Sequence, residues 1–400
     1  MLKQKISNVE FVTIMASLMA ITALAIDAVL PALDVIGKDI GVENPQNNQL
    51  IIILIFLGLG VGPLVFGPVS DSIGRKPLVY LGFAIFIIAS FICIFSESLE
   101  MMIFGRILQG IGLSSPRTIS IAMVRDAYEG DYMARIMSFI TTIFILVPVV
   151  APTLGKFMLD HYNWQAIFYI QLIFGILVTL WFFKRQPETL SDLHKKKWTS
   201  SIFMDGFKEL ITHKSTLAFT VISGFITGSF LVYLSTAQQI FHEQYNLIDE
   251  FPYIFAALAV TVGMATLLNG NLVLRFGMLK LITWALILYF LASLLYVILF
   301  YSTTNPSALI LFLFCAVQFF AIGFLFGNLR AIAMQPVGHI AGIASAITGL
   351  ISTLMAVPLS IYIGAFVKTS VLPMFIGFTI CSLISIGILY YIKGLRKKEI

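Results

Sequence analysis

Charged side chains are scarce in this chain. Its 400 residues include 25 Lys and Arg and 20 Asp and Glu, or 11%, against about 25% in an ordinary soluble domain. Hydrophobic residues make up 59%. That much apolar surface excludes both a soluble globule and a disordered chain, because neither can keep it out of water. A lipid bilayer is the remaining solvent, and the chain is long enough for about a dozen spans of about 20 residues.

Cysteine is also rare, and catalytic motifs are absent from the sequence. Cys93, Cys315 and Cys381 lie in apolar runs without metal-ligand spacing, so we interpret them as packing residues. The five histidines fall in predicted loops or at helix ends, and there is no H-E-x-x-H motif and no phosphate-binding G-x-x-x-x-G-K-S/T loop. We therefore predict no enzyme and no metal or nucleotide cofactor. A membrane-embedded enzyme is the rival from another functional class.

Apolar stretches bounded by polar turns predict twelve transmembrane helices, since a bilayer leaves no partner for an open strand edge. The predicted spans are 11–33, 49–69, 77–95, 101–124, 134–159, 164–183, 215–241, 251–274, 278–301, 306–334, 340–366 and 371–392. A polar, basic stretch over 185–214 separates six spans from six. It predicts an N-terminal bundle (1–184), a linker with a short surface helix around 202–211, and a C-terminal bundle (215–400).

Positive charge is divided unevenly between the two sides of the predicted membrane. Of the 25 Lys and Arg, 19 fall on one side, three on the other and three within spans. The three on the sparse side are Lys38, Lys156 and Lys368. Because Lys and Arg accumulate in cytoplasmic loops, this split predicts that both termini and the linker are cytoplasmic.

Two predicted turns are related to each other. Gly67 and Gly74 flank the turn after the second span, Gly270 and Gly277 flank the turn after the eighth, and 203 residues separate the two pairs. Two related six-helix bundles around a midplane site are typical of many secondary transporters. The sequence therefore predicts an all-α membrane protein with twelve transmembrane helices in two six-helix bundles related by pseudo-two-fold symmetry.

The first of these turns carries a recognisable motif. It reads Gly67-Pro68-Val69-Ser70-Asp71-Ser72-Ile73-Gly74-Arg75-Lys76 and resembles the signature G-x-x-x-D-x-x-G-R-K/R of the major facilitator superfamily. Further stretches look like the Bcr/CflA-type drug:proton antiporters of that superfamily: 26–31, 106–110, 124–126, 147–155, 163–168 and 339–345. The resemblance implies a multidrug-type exporter in a bacterial inner membrane, and we predict that it acts as a monomer. It would work by alternating access, with the proton gradient as its energy source and no cofactor.

Asp27 is the only carboxylate deep inside a predicted span. An ionised group at mid-bilayer costs at least about 2.5 to 3.5 kcal/mol on insertion scales, so such residues usually mark an ion or proton path. We therefore predict that Asp27 binds and releases the coupling proton. The alternative is an aspartate near a helix end that reaches the surface, or one held in a structural ion pair.

Arg106 and Gln109 share one face of the fourth span. Because arginine stays charged, Arg106 needs a partner, and in the resembled fold the first and fourth helices line the N-terminal cavity. We hypothesise that Arg106 interacts with Asp27 or its water network, and that Arg106 and Gln109 also contact substrate. The alternative is a purely structural arginine held by backbone carbonyls.

Arg117 and Arg330 depart from the resembled pattern. With Arg106 they place three arginines in spans against one carboxylate, and an unpaired buried cation is costly. The excess favours an anionic substrate clamped by arginine, with Gln238 and Asn328 as polar candidates in the C-terminal bundle. Alternatively, Arg117 and Arg330 lie near cytoplasmic helix ends and reach lipid phosphates.

A gating role for the first turn follows from the resemblance. The gating residues of this turn are Gly67, Asp71, Gly74 and Arg75, joined by Arg125 after the fourth span. Asp71 can meet a neighbouring helix N-terminus or Arg125, and inward opening would break that contact. In the second turn Leu274 replaces the acid, so we predict a latch on one side only.

The fifth span carries Pro148, Pro152 and Gly155, which resemble the antiporter signature of that helix. Proline removes a helix donor and glycine allows a close helix crossing, a combination that suits a bend. These residues favour export. A proton symporter that imports a small organic acid is the alternative within transport.

Overall fold

The structure is a computed structural model that describes residues 7–191, 195, 201–302 and 305–396. Within these residues the chain forms fourteen α-helices and no strand. The helices are α1 (Asn8–Asp27), α2 (Leu33–Asp39), α3 (Gln49–Ile73), α4 (Arg75–Ile94), α5 (Leu99–Ala127), α6 (Gly130–His161), α7 (Gln165–Arg185), α8 (Ser201–Thr212), α9 (Lys214–Gln239), α10 (Phe251–Phe276), α11 (Met278–Phe300), α12 (Ala308–Met334), α13 (Ala341–Gly364) and α14 (Leu372–Arg396). The all-α prediction is confirmed.

Twelve of the described helices are long, and each coincides with one predicted span. The predicted surface helix is present as α8. Linker residues 192–194 and 196–200, and the termini 1–6 and 397–400, lie outside the described residues.

The first span differs from its prediction, which ran as one helix to residue 33. The α-helix ends at Asp27, and a 3₁₀ turn over Leu30–Ala32 leads into α2. Pro31 explains the end, because proline has no N–H and its ring clashes with the carbonyl four residues earlier, which is that of Asp27. A single proline thus places the candidate acid at a break in the helix.

Ten described stretches are long and apolar enough to cross a membrane, and one of them, Ala308–Gly364, covers both α12 and α13. Helix α5 is not among the ten. It carries Arg106 and Arg117 in its interior and packs along α3 and α4, so that much of it is buried. A charged helix of this kind is stable in a bilayer only when other helices cover it.

The chain divides into two compact units, Met1–Ile202 and Phe203–Ile400. In the first unit, glycines bring α3 and α4 against the backbone of α5. A Cβ atom at Gly58 would overlap the backbone at Ile107 and Ile111, and one at Gly82 would overlap Gly112 and Ser115. The small residues of α3 therefore serve packing, as small residues do at many membrane helix interfaces.

In the second unit α9 packs on α13, α11 packs on α12 and α14, and α10 packs on α12. Small residues again allow close approach: a Cβ at Gly323 of α12 would meet Val262 and Ala265 of α10. The surface helix α8 belongs to this unit, since Gly206 lies against Ile343 of α13.

The two related turns have the same backbone construction. Gly74 (φ 118°, ψ 160°) joins α3 directly to α4, and Gly277 (φ 78°, ψ 153°) joins α10 directly to α11. These conformations are essentially restricted to glycine, which explains why both turns carry glycine at the same place.

Candidate functional site

Asp27 is buried at the C-terminal end of α1, with 5% of its surface exposed. Among the described residues it is the only buried acid, and none of them donates a hydrogen bond or forms an ion pair with its carboxylate. A carboxyl group without such partners is costly to keep ionised away from water.

Arg106 is completely buried in α5. Its Nε donates to the carbonyl of Ile51 in α3 (2.9 Å), and its Nη1 donates to the carbonyl of Ala25 in α1 (3.0 Å) and to Oε1 of Gln109 (2.7 Å). The guanidinium also lies 5.9 Å from the ring centre of Phe168 in α7. One side chain thus joins four helices of the first unit.

The hypothesised contact between Arg106 and the Asp27 carboxylate is not formed in this structure. Arg106 reaches α1 at the carbonyl of Ala25, two residues before Asp27. Two residues correspond to a rotation of about 200° around a helix, so a guanidinium on the Ala25 side faces away from the Asp27 side chain. The observed geometry matches the alternative of an arginine held by backbone carbonyls.

A chain of hydrogen bonds continues from Arg106 into α4. Gln109 accepts from Arg106 and donates from Nε2 to Oγ of Ser90 (2.8 Å), and Ser90 donates to the carbonyl of Phe86 (2.8 Å). Gln109 is completely buried. Its two polar ends are therefore engaged within the bundle.

Several polar atoms next to this network have no hydrogen-bond partner within the described part of the chain. They are Nη2 of Arg106, Oγ1 of Thr22 and both polar atoms of Gln171. Thr22 lies one helical turn from Ala25, and Gln171 one turn from Phe168. Buried polar groups without partners are rare in folded proteins and call for water or a ligand. Neither Thr22 nor Gln171 is among the candidates predicted from the sequence, although an amide within the apolar sixth span is a signal for Gln171.

The turn between α3 and α4 is held by Arg75, which is buried. Its Nε and Nη2 bind the two carboxylate oxygens of Asp126 at 2.8 and 3.2 Å, and its Nη1 donates to Ser70 and Asp71. Thr189 adds a hydrogen bond to Asp126 (3.1 Å). A forked arginine–carboxylate contact is among the strongest pairings available to these side chains.

The predicted contact between Asp71 and Arg125 is replaced by this arrangement. Arg125 is exposed at the end of α5, and the next residue, Asp126, turns towards Arg75. Adjacent residues on a helix point about 100° apart, so only one of the two can face the turn. Asp126 belongs to the stretch 124–126 that resembles the antiporters, but it is not among the gating residues predicted from the sequence.

The segment after α7 closes over the same turn. Glu188 accepts from the backbone N–H of Lys76 (2.9 Å), and the Lys76 ammonium donates to the carbonyl of Gln186 (2.6 Å). The turn is therefore tied to α5 on one side and to the chain leaving the sixth span on the other.

Helix α6 runs without a break through Pro148 and Pro152. Gly155, one turn further, packs against the backbone of Ala28, where a Cβ would overlap the carbonyl. Gly155 of this signature therefore allows direct contact between α6 and the residue immediately after Asp27. Gly67, by contrast, has open space around it.

The candidates of the second unit have separate partners. Gln238 forms a hydrogen bond with Nδ1 of His242 (2.7 Å), and the amides of Asn328 and Asn269 bond each other, the shorter contact being 2.6 Å. Arg330 is exposed in α12 and donates to Oγ of Ser345 in α13 (3.1 Å).

Arg117, in the first unit, is half-buried in α5. No cluster of three or more His, Cys, Asp or Glu that could hold a metal occurs among the residues described.

The sequence pattern of the Major Facilitator Superfamily matches residues 15–360. The chain belongs to this superfamily. A bicyclomycin resistance protein homolog from Haemophilus influenzae is 25% identical over an alignment of 404 positions that covers 100% of both chains. The multidrug resistance protein MdtL of Klebsiella pneumoniae subsp. pneumoniae is 30% identical, covering 93% of this chain and 92% of that protein.

The human organic anion transporter MFSD10 (TETRAN) has the same fold, with a TM-score of 0.68, 17% identity and coverage of 96% of this chain and 100% of that one. The predicted family and its Bcr/CflA-type resemblance are confirmed, as is the major facilitator fold. This major facilitator protein is therefore a multi-pass membrane transporter of a small molecule and not an enzyme.

The site of this major facilitator protein has two chemically different parts. Asp27 is a buried acid at a helix break, and Gly155 of α6 packs against the next residue, Ala28. Arg106 is a buried cation committed to backbone carbonyls, with unpartnered polar atoms beside it. The first can change its charge by taking up a proton, and the second keeps its charge at all accessible pH values.

Proposed function

We propose that this transporter exports a small organic molecule in exchange for protons, with Asp27 as the group that carries the proton. The observation behind this proposal is the burial of Asp27 without a partner among the described residues. Its position supports a cycle in which the neutral acid is closed off from water and the carboxylate forms when water reaches it.

Alternating access would proceed around this group. The break at Pro31 and the contact of Gly155 with Ala28 give α1 and α6 a place to move against each other. The Arg75 network would hold the gating turn closed, and its release would accompany opening. We further propose that the protein acts as a monomer in the inner membrane, with both termini and the linker in the cytoplasm.

For the substrate we propose a drug-like compound or metabolite that carries an acidic group. Arg330 is the most exposed of the three arginines within spans, and Arg117 is half-buried. Both can therefore meet an anionic group more readily than Arg106, whose donors are directed at backbone carbonyls. Gln238 and Asn328 remain polar candidates from the second unit.

The function is tested in energised inverted membrane vesicles whose acid interior is followed with a pH-sensitive dye. Addition of a substrate should release protons from the vesicles, because substrate and proton cross in opposite directions. A symporter would give no such release, since proton and substrate would have to leave together. A panel of anionic and cationic compounds should show release with the anionic members, and the Arg330→Gln variant should weaken it.

Asp27→Asn should reduce substrate-triggered proton release to the level of vesicles without the protein, since the amide cannot exchange a proton. Exchange of labelled for unlabelled substrate without a gradient should persist, which would show that the variant is folded. Asp160→Asn is the matched control, because Asp160 is an exposed acid paired with Lys156, and it should leave proton release unchanged. Full coupling in Asp27→Asn would refute the assignment.

A further inference from the structure

A lateral groove lies in the second unit where α10, α11 and α12 meet. It has a volume of about 160 Å³. All of its lining residues are apolar, among them Leu272 of α10, Leu281 and Ala285 of α11 and Phe324 of α12. Only the indole N–H of Trp284 can form a hydrogen bond among the side chains that line the groove. The groove therefore suits a hydrocarbon chain better than a polar substrate or water.

The groove opens on a surface that faces lipid. Helix α11 exposes a stripe of large apolar side chains at helical spacing: Trp284, Leu288, Leu291, Leu295 and Ile298. On a membrane-spanning helix such a stripe faces the bilayer. Trp284 and Leu288 belong to the stripe and also line the groove, so the groove is continuous with the lipid-facing surface.

Basic and aromatic side chains stand at the mouth of the groove. The ring of Phe276 packs edge-on against Trp284 at 5.2 Å, and the guanidinium of Arg275 lies 5.2 Å from the Phe276 ring centre. Lys280 is exposed one turn before Trp284 on α11. Tryptophan and basic residues are typical of the membrane–water boundary, which places this end of the groove at headgroup level.

The positive charge at this mouth is not neutralised by its own helices. Helices α10, α11 and α12 contain no Asp or Glu, and no acid forms an ion pair with Arg275 or Lys280 within the described ranges. In the related first turn, by contrast, the carboxylates of Asp71 and Asp126 neutralise Arg75.

The geometry points to a binding site for an anionic glycerophospholipid, with one acyl chain in the groove and the phosphate between Arg275 and Lys280. The bound phosphate would supply at the second turn the negative charge that carboxylates supply at the first. Such a site must prefer an anionic headgroup to a zwitterionic one carrying the same acyl chains, which distinguishes it from ordinary solvation by lipid.

Quenching of Trp284 fluorescence by brominated lipids measures this preference. The full chain is reconstituted in phosphatidylcholine vesicles into which phosphatidylglycerol or phosphatidylcholine with brominated acyl chains is titrated. The signal of Trp284 is obtained by subtracting the fluorescence of the Trp284→Phe variant from that of the unmodified protein. Brominated phosphatidylglycerol should quench that signal at a lower mole fraction than brominated phosphatidylcholine, by about fivefold for each basic side chain.

Arg275→Gln and Lys280→Gln should each lower the preference by about fivefold, and the double variant should nearly abolish it. Lys393→Gln is the matched control. Lys393 is a third basic side chain, bonded to Thr283, which lies about 200° around α11 from both Leu281 and Ala285. That variant should keep the full preference.

Ala285→Leu should fill the groove while leaving the charges in place, and it should reduce quenching by both lipids. Continued protection of the buried Cys315 and Cys381 thiols shows that each variant is folded. Equal quenching by the two lipids in the unmodified protein would overturn the proposal, since the groove would then hold only bulk lipid. An undiminished preference in the Arg275→Gln/Lys280→Gln variant would overturn it as well.

Discussion

The two units of this transporter differ in whether they bury charged side chains. Among the described residues, the buried charged side chains are Asp27, Arg75 and Arg106, and all three lie in the first unit. The second unit buries amides and hydroxyls, such as Gln318 and the Asn328 end of the Asn269–Asn328 pair. Amides and aliphatic hydroxyls do not change charge at ordinary pH, and the proposed proton carrier, Asp27, lies in the first unit.

The two related turns show the same difference on one backbone. Gly74 and Gly277 adopt similar positive-φ conformations, yet the first turn holds a network around Arg75. In the second turn the residue that corresponds to Asp71 is Leu274, with 88% of its surface exposed. The backbone conformation of this turn therefore does not depend on the charged network, since Gly277 keeps the conformation in a turn that lacks the acid.

Stability can be compared unit by unit, because each unit has its own buried thiol. Cys93 lies in the first unit, and Cys315 and Cys381 lie in the second. Labelling of each cysteine along an unfolding transition in detergent, read by mass spectrometry, gives a free energy of unfolding for each unit. The four predictions that follow use this measurement.

The largest effect is expected for Arg106→Met. The variant loses charge-assisted bonds from Arg106 to the carbonyls of Ile51 and Ala25, and we expect the first unit to lose about 2 to 4 kcal/mol. Gln318→Leu, the comparison in the second unit, should cost less than about 1 kcal/mol, because one of its two polar atoms already lacks a partner. An increase in stability for Arg106→Met would mean that Arg106 is retained for transport alone.

Arg75→Gln should lower the stability of the first unit by about 2 kcal/mol, since Asp71 and Asp126 lose their shared cation. The corresponding change in the second turn, Met278→Gln, should stay within about 0.5 kcal/mol. In Arg75→Gln, Cys93 should become exposed earlier in the unfolding transition, and the exposure of Cys315 should not change. Equal losses in the two turns would contradict a one-sided network.

Gly74→Ala and Gly277→Ala test what the two turns share. Each substitution forces a non-glycine residue into positive φ, so each should cost its own unit about 1 to 3 kcal/mol. Gly74→Ala should lie at the upper end, because the new Cβ would also come within 3.0 Å of Oε2 of Glu188. A neutral Gly277→Ala would show that the second turn relaxes to another backbone.

The smallest effect is expected for Leu274→Asp, which restores the acid in the second turn. The site is exposed and position 278 has no basic side chain, so stability should change by less than about 0.5 kcal/mol. A gain of 1 kcal/mol or more in the Cys315 transition would show that the acid finds a cation there. In the lipid titration, this variant should weaken the preference for phosphatidylglycerol, because a carboxylate next to Arg275 repels the lipid phosphate.

Residue type and position in the chain were enough to select some functional candidates. Asp27 was chosen because a lone carboxylate in an apolar span is costly, and the structure places it in a buried position. The position of the helix end was missed, although Pro31 was the available signal. The partners of Arg106 and Asp71 could not be derived, since they depend on the rotation of each helix about its axis.

The choice between Arg125 and Asp126 illustrates the same limit. Both belong to a motif that the sequence contains in full, and only the packed orientation of the end of α5 decides which one meets Arg75. Thr22 and Gln171 became candidates only because the packing leaves their polar atoms without partners. Whether a buried polar atom finds a hydrogen-bond partner depends on the assembled bundle, and the neighbouring sequence does not show it.

The amino-acid sequence by itself determined three properties of this chain. It fixed that the chain is a membrane protein, which segments form helices, and at which turns glycine is required. These properties follow from local quantities: the transfer of apolar side chains into lipid, the missing N–H of proline and the steric freedom of glycine. The tertiary structure decided which cation meets which acid and which polar groups stay unpaired. Those outcomes depend on close packing between helices distant in sequence, where a rotation of one residue exchanges one partner for another.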